Sequence, residues 1–186
     1  MSEILYVNAC VRPNSRTKRL ADCVVEKLGG EVKEVNLYDL GLSPLDMDAM
    51  DKREKASRCR EFSDSAFKLS KEFATADTIV IAAPYWDLSF PAVLKLYLEN
   101  ISVVGVTFRY SENGVPVGLC RANKLIYVTT AGGYIGENDF GFSYVKSLAQ
   151  NLYGIKNTEC VAAEGLDIAP EKAEGILSYA MSKVKQ

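Results

Sequence analysis

The 186-residue chain contains no histidine and few cysteines. The absence of histidine excludes a Ser–His or Cys–His nucleophile and any histidine-ligated metal site. The five cysteines are odd in number, scattered, and never in CxxC spacing. This pattern argues against a disulfide framework, a zinc site and an iron–sulfur cluster. We therefore expect no metal site, and cysteines that serve mostly as small buried apolar side chains.

Long apolar runs and an excess of either charge are also missing. No apolar run approaches the roughly 18 residues that a membrane-spanning helix needs, and no basic-then-apolar leader opens the chain. Lys and Arg total 22 against 24 Asp and Glu, which gives a net charge of −2 and no general attraction to nucleic acid or anionic membrane. We expect a cytoplasmic protein without nucleic-acid partners or a membrane span, in which any anion site is local.

The chain has the length and composition of one globular domain over residues 1–186, with 48% hydrophobic and 25% charged residues. Apolar runs and alternating patterns predict five strands, at residues 4–7, 31–37, 78–84, 124–130 and 158–165. Helical spacing predicts five helices, at residues 18–28, 62–73, 91–101, 142–152 and 173–184. The polar stretch 37–54, with Gly41 and Pro44 inside it, predicts a long loop.

The alternation of strands and helices predicts the fold class. It indicates an α/β protein with a doubly wound, five-stranded parallel sheet, helices on both faces and right-handed crossovers. Residues 106–118 alternate apolar and polar around Asn113-Gly114, the strongest short signal for a hairpin. We therefore predict a small β-hairpin excursion between a helix and the fourth sheet strand.

Ligands of doubly wound sheets bind beyond the carboxyl ends of the strands, where the strand order reverses. The loops after the first, third and fourth predicted strands are ACVRPNSRT (9–17), PYWDLSFP (84–91) and TAGGYIG (130–136). They are rich, respectively, in hydroxyls and cations, in aromatic rings and in glycine. Together they suit one ligand that has an anionic tail and a flat ring.

The first loop leads into a helix whose start has unusual charges. A helix N-terminus disfavours cations, yet this one carries four and no acidic residue: Arg12, Arg16, Lys18 and Arg19. A phosphate held by the hydroxyls of Ser15 and Thr17, with Arg12 or Arg16 as charge partner, would make these cations favourable. Alternatively, Asn14 or Ser15 caps the helix and the basic residues form a solvated face.

The other two loops also allow two interpretations each. Tyr85 and Trp86 could stack on a planar ring, although clustered aromatic residues are more often core or interface packing. Asp87 could contact a donor of that ring or start a turn. Gly132 and Gly133 let a ligand approach the backbone, but a Gly-Gly pair is also an ordinary turn.

Two common nucleotide fingerprints are missing from the first loop. It has neither GxGxxG, which marks a dinucleotide site, nor GxxxxGK[ST], which marks a triphosphate site. A hydroxyl-lined monophosphate site remains. In a doubly wound sheet of this size, FMN is the expected ligand.

Four segments together resemble the flavodoxin-like NAD(P)H-dependent FMN oxidoreductases, and most closely their azoreductase and quinone reductase group. The segments are SRT (15–17), IVIAAPYWDLSFPAVLKLYLE (79–99), GVTFRYSENG (105–114) and TTAGGYIG (129–136). The resemblance covers nearly the whole chain in order. It implies a flavodoxin-like fold, a homodimer with FMN near the interface, and NADH or NADPH as co-substrate.

The resemblance also assigns roles to residues. Ser15–Thr17 match the phosphate-binding positions, Tyr85–Leu88 match the segment along the isoalloxazine ring, and Thr130–Gly133 match the loop at its other edge. With their neighbours, the candidate cofactor-binding residues are Cys10, Arg12, Ser15, Arg16, Thr17, Pro84, Tyr85, Trp86, Asp87, Leu88, Thr130, Ala131, Gly132, Gly133 and Tyr134. The chain departs from the family in three places: Asp87 replaces the usual amide, Ala9-Cys10 replaces serines, and no histidine follows Tyr134.

The reaction that the resemblance implies is ping-pong. A nicotinamide transfers a hydride to flavin N5 and leaves, and a small-molecule acceptor such as a quinone or an azo compound then takes two electrons. The cofactor performs this chemistry, so we assign no catalytic side chain. Two alternatives remain open: a flavodoxin-type electron carrier that binds FMN without nicotinamide turnover, and an interaction domain whose aromatic loop serves only the dimer.

Overall fold

Five parallel strands form the central sheet of the computed structural model, which describes residues 2–184. Together with two strands outside this sheet, residues 2–184 contain seven strands. In chain order they are β1 (Glu3–Asn8), β2 (Glu31–Asn36), β3 (Thr78–Ala82), β4 (Phe108–Tyr110), β5 (Pro116–Gly118), β6 (Lys124–Thr130) and β7 (Asn157–Ala163). The sheet order is β2-β1-β3-β6-β7, while β4 and β5 pair as a separate antiparallel hairpin. The predicted fold class and the hairpin are confirmed. The single-domain prediction includes Met1, Lys185 and Gln186, which lie outside the described residues.

Helices cover both faces of this sheet. They are α1 (Arg16–Leu28), α2 (Met47–Cys59), α3 (Lys68–Thr75), α4 (Ala92–Ile101), α5 (Phe142–Leu148) and α6 (Ala173–Lys183). A π-helical turn at Ala149–Tyr153 continues α5. None of the helices within residues 2–184 is long and apolar enough to cross a membrane.

Alternate residues of each strand point to opposite faces of the sheet, and this alternation divides the core in two. Leu5 and Ile79 belong to one cluster, which packs against α3, α4 and α5. Ile4 and Val80 belong to the other, which packs against α1 and α6. Because both faces of β1 and β3 are covered, these strands read as continuous apolar runs. The strand order reverses between them, which is where a ligand site is expected.

The predicted long loop over residues 37–54 is wrong, because α2 begins inside it at Met47. Asp46 caps this helix: its Oδ1 accepts a hydrogen bond from the Ala49 N–H at 2.8 Å. Ala56 is the residue of α2 that is buried, so the helix lacks the apolar stripe that reveals most helices in a sequence. Polar contacts anchor it instead, since Arg53 donates to two carbonyls in the last turn of α4 at 2.8 and 3.0 Å.

Candidate functional site

A cavity of about 270 Å³ opens at the carboxyl end of the sheet, where the loops after β1, β3 and β6 meet. It is lined by Val11, Arg12, Asn14, Ser15, Arg16, Thr17, Pro84, Tyr85, Trp86, Thr130, Ala131, Gly132 and Asp167. The three loops that the sequence singled out are thus brought together around one space. A fourth loop, between β7 and α6, contributes Asp167.

The start of α1 forms the polar end of the cavity. Ser15 caps the helix: its Oγ accepts from the Lys18 N–H at 3.3 Å and its carbonyl accepts from the Arg19 N–H at 3.1 Å. The first N–H groups of a helix have no partner within the helix. Those of Arg16 and Thr17 therefore remain available to an anion in the cavity. The cap uses the Ser15 hydroxyl and leaves these two N–H groups without a partner in the helix, so the cap and a phosphate bound at the helix start are compatible.

Acidic residues, one on α1 itself and others from distant parts of the chain, pair with most of the cations near this helix start. Lys18 pairs with Asp22 at 2.8 Å, and Arg19 donates two hydrogen bonds of 2.8 Å to the carboxylate of Glu174. Neither of these cations lines the cavity. Arg12 does line it and forms no ion pair within residues 2–184. Its charge is therefore free for a ligand.

Arg16 lies at the cavity and is held by the fourth loop. Its Nη2 is 2.8 Å from Asp167 Oδ1, and its Nη1 donates to the Leu166 carbonyl at 3.3 Å. Asp167 also faces Gly132, where an added Cβ would lie only 2.3 Å from Asp167 Oδ2. Asp167 was not predicted from the sequence. The signal that could have found it is topological, since β7 ends at the same edge of the sheet as its neighbours.

The loop after β3 makes a tight turn at the rim of the cavity. Trp86 and Ser89 exchange two backbone hydrogen bonds of 3.1 and 2.8 Å, and the residues between them, Asp87 and Leu88, have φ values of 49° and 67°. Both lie in the left-handed region, which costs a non-glycine residue about 1 kcal/mol. The turn presents the Trp86 ring at the cavity, whereas Asp87 and Leu88 do not line it.

The loop after β6 is joined to the start of α1 on one side and to the fourth loop on the other. Thr130 Oγ1 lies 2.6 Å from Thr17 Oγ1, a buried hydrogen bond between two hydroxyls that line the cavity. The Gly133 carbonyl accepts from the Gly165 N–H at 2.8 Å. Gly133 and the exposed Tyr134 lie outside the cavity lining.

Most of the predicted cofactor-binding residues therefore line one cavity, and five do not: Cys10, Asp87, Leu88, Gly133 and Tyr134. Cys10 lies in the first loop with its side chain buried, and its N–H donates to Asn8 Oδ1 at 2.9 Å. Burial raises the pKa of the Cys10 thiol, so the group is protonated at neutral pH. Its side chain packs in the core cluster that lies against α1 and α6.

The placement of Cys10 predicts its reactivity. Because the thiolate is the nucleophile and needs access to reagent, we expect iodoacetamide to modify the exposed Cys59 in the native protein and Cys10 only after unfolding. Peptide mass spectrometry of samples quenched over time measures both rates. Equal modification of Cys10 and Cys59 in the native protein would contradict this placement.

Comparison with known proteins finds relatives that align with the whole length of this chain. The Flavodoxin_2 family model, described as a flavodoxin-like fold, matches residues 2–186. An FMN-dependent NADH:quinone oxidoreductase 2 of Clostridium acetobutylicum is 36% identical over 198 residues, covering 100% of this chain and 98% of that protein. A namesake from Clostridium perfringens is 33% identical over 199 residues and is covered completely, as is this chain. The crystal structure of an azoreductase from Bacillus anthracis matches with a TM-score of 0.85 at 28% identity, covering 99% of this chain and 97% of that one. The chain therefore belongs to the Flavodoxin_2 family of flavodoxin-like proteins.

Proposed function

We propose that this protein is an FMN-dependent NADH oxidoreductase that reduces a small acceptor such as a quinone or an azo compound. The observation that carries the proposal is the cavity itself, which joins an anion-binding helix start to an aromatic rim where the strand order reverses. Relatives named FMN-dependent NADH:quinone oxidoreductase, aligned over the full chain, support the same cofactor and reductant.

The residues of the cavity fit FMN. The free N–H groups of Arg16 and Thr17, the Thr17 hydroxyl and the Arg12 side chain supply donors and positive charge for a phosphate. Tyr85 and Trp86 supply flat apolar surface for the ring. A volume of about 270 Å³ lies just below the usual range for whole ligand sites. We infer that the phosphate end is enclosed and that the ring lies at the open rim.

The chain's own residues bind and orient the cofactor. FMN, when bound, supplies the redox chemistry: it accepts a hydride from NADH and passes two electrons to the acceptor. The Thr17–Thr130 hydrogen bond fixes the two loops that flank the cavity. The two backbone hydrogen bonds of the Trp86–Ser89 turn fix the aromatic rim of the cavity.

A homodimer is part of the proposal. Apolar side chains surround the mouth of the polar cavity: Val11 is 48% exposed, Trp86 39% and Leu88 48%. Exposed apolar surface beside a site is typical of an interface, and a second copy of the chain would cover it. Light scattering is expected to give twice the chain mass of 20.5 kDa, and a monomer would contradict this part of the proposal.

The proposal also treats the chain as one domain, which the family match over residues 2–186 supports. It places the protein in the cytoplasm, which the use of NADH favours.

Turnover assays test the proposed function. We expect purified protein reconstituted with FMN to oxidise NADH when a water-soluble quinone is present. Protein stripped of FMN, assayed in the same way, is the matched control and is expected to be inactive. Failure of the protein to bind FMN would contradict the proposal, as would tight FMN binding without NADH oxidation.

A further inference from the structure

Asp167 is an acidic side chain in the lining of a cavity that we assign to a phosphate. Like charges repel, so an acid at this place opposes the ligand unless a cation lies between them. The loop between β7 and α6 that carries Asp167 has no role in the function proposed above. Its contacts indicate one.

The carboxylate of Asp167 holds the side chain of Arg16. One guanidinium nitrogen is 2.8 Å from Asp167 Oδ1, and the other donates to the Leu166 carbonyl at 3.3 Å. The two side chains are 35% and 66% exposed. An exposed ion pair of this kind contributes little to folding stability. Its main effect is to restrict a long side chain that would otherwise sample many rotamers.

Asp167 is itself fixed to the loop after β6. Its N–H donates to the Gly132 carbonyl at 2.9 Å, and the Leu166 N–H donates to the Ala131 carbonyl at 3.2 Å. Gly132 lacks the Cβ that would collide with the Asp167 carboxylate. The guanidinium of Arg16 is therefore tied, through Asp167, to backbone that borders the same cavity.

We propose that Asp167 is a positioning residue for the flavin phosphate. It holds the Arg16 guanidinium beside the free N–H groups of α1, so that the phosphate meets an ordered charge partner. Ordering a side chain before binding removes that entropic cost from the binding step. Arg12, which has no ion-pair partner among the described residues, keeps the cavity attractive to an anion although Asp167 is present. This inference rests on the proposed function.

Titration of the apoprotein with FMN and with riboflavin, which lacks the phosphate, tests the inference. We expect Asp167→Ala to weaken FMN binding about fivefold, the cost of ordering one arginine side chain, and to leave riboflavin binding unchanged. Asp167→Asn keeps an acceptor for the guanidinium and is expected to recover most of the affinity. In an Arg16→Ala background, where Asp167 has no arginine to position and only repels the phosphate, Asp167→Ala is expected to cause no further loss and to restore part of the FMN affinity.

Glu174→Ala is the matched control. It removes an exposed carboxylate of α6 that pairs, outside the cavity, with Arg19 of α1. Because Arg19 lies on the same helix as Arg16 but not at the cavity, this variant is expected to leave FMN affinity unchanged. The inference is overturned if Asp167→Ala binds FMN as well as or better than wild type, if riboflavin loses affinity in parallel, or if Glu174→Ala shows the same loss. Absence of FMN binding by the wild-type protein would instead contradict the proposed function.

Discussion

Replacing Arg16 and Thr17 together by alanine is expected to weaken FMN binding about a hundredfold while leaving riboflavin binding nearly unchanged. A hydrogen bond to a charged group contributes about 1.5–3 kcal/mol and a neutral one about 1 kcal/mol, and each 1.4 kcal/mol is about tenfold in affinity. Both residues line the cavity at the start of α1, so the loss should fall on the phosphate. Fluorescence titration of the apoprotein with each flavin measures it.

The neighbouring cations provide the control for this double variant. Lys18 and Arg19 lie on the same helix but pair with Asp22 and Glu174 outside the cavity. Replacing these two cations by alanine changes the net charge of the protein more than the Arg16 and Thr17 variant does. FMN affinity is nevertheless expected to stay within about twofold, because the exposed pairs contribute little. An equal loss in this control would indicate a general charge effect. Unchanged affinity in the Arg16 and Thr17 variant would show that this loop only caps the helix and does not bind the phosphate.

Gly132→Ala is expected to weaken FMN binding about tenfold, whereas Gly133→Ala should have no effect. Neither glycine has a positive φ, so alanine suits the backbone at both positions. A Cβ at Gly132 would lie 2.3 Å from Asp167 Oδ2, while one at Gly133 would meet nothing within 4 Å. The methyl at Gly132 must displace Asp167, which frees Arg16 and leaves the Asp167 carboxylate near the phosphate without its cation. A cost of about one or two kcal/mol corresponds to about tenfold in affinity.

The route of this effect can be checked by removing its target. With Asp167 already replaced by alanine, the Gly132 methyl has room, and the double variant is expected to bind FMN no more weakly than Asp167→Ala alone. The thermal unfolding midpoints of the wild type, the two single variants at Gly132 and Asp167, and the double variant should agree closely, because the Asp167 side chain is exposed and can rotate. Loss of affinity in Gly133→Ala, or full additivity in the double variant, would contradict this explanation.

The sheet and three of the four loops at the site were predictable from the sequence for a physical reason. A parallel strand that is covered on both faces is a nearly continuous apolar run, as residues 79–82 and 125–128 are. Strands of this kind end at one edge, so their following loops meet there. The hairpin was equally predictable, because its turn requires a residue with positive φ and the sequence supplies a glycine there. Gly114 has a φ of 74° in the structure.

Two features escaped prediction because the interactions that determine them are not local. The helix α2 has little apolar surface and is anchored by Arg53 to the end of α4, so periodicity could not reveal it; its local signal was the cap at Asp46. Asp167 is 151 residues from Arg16 in sequence. Only the topology, which brings the end of β7 to the same edge, predicts that its loop can reach the site.

Anaerobic mixing of the FMN-loaded protein with NADH is the most direct test of the proposed function. The proposal predicts loss of the visible flavin absorbance in proportion to the NADH added, and recovery of that absorbance when a quinone follows. Persistent absorbance with FMN still bound would contradict it, and would indicate a flavin-binding protein that does not oxidise the nicotinamide.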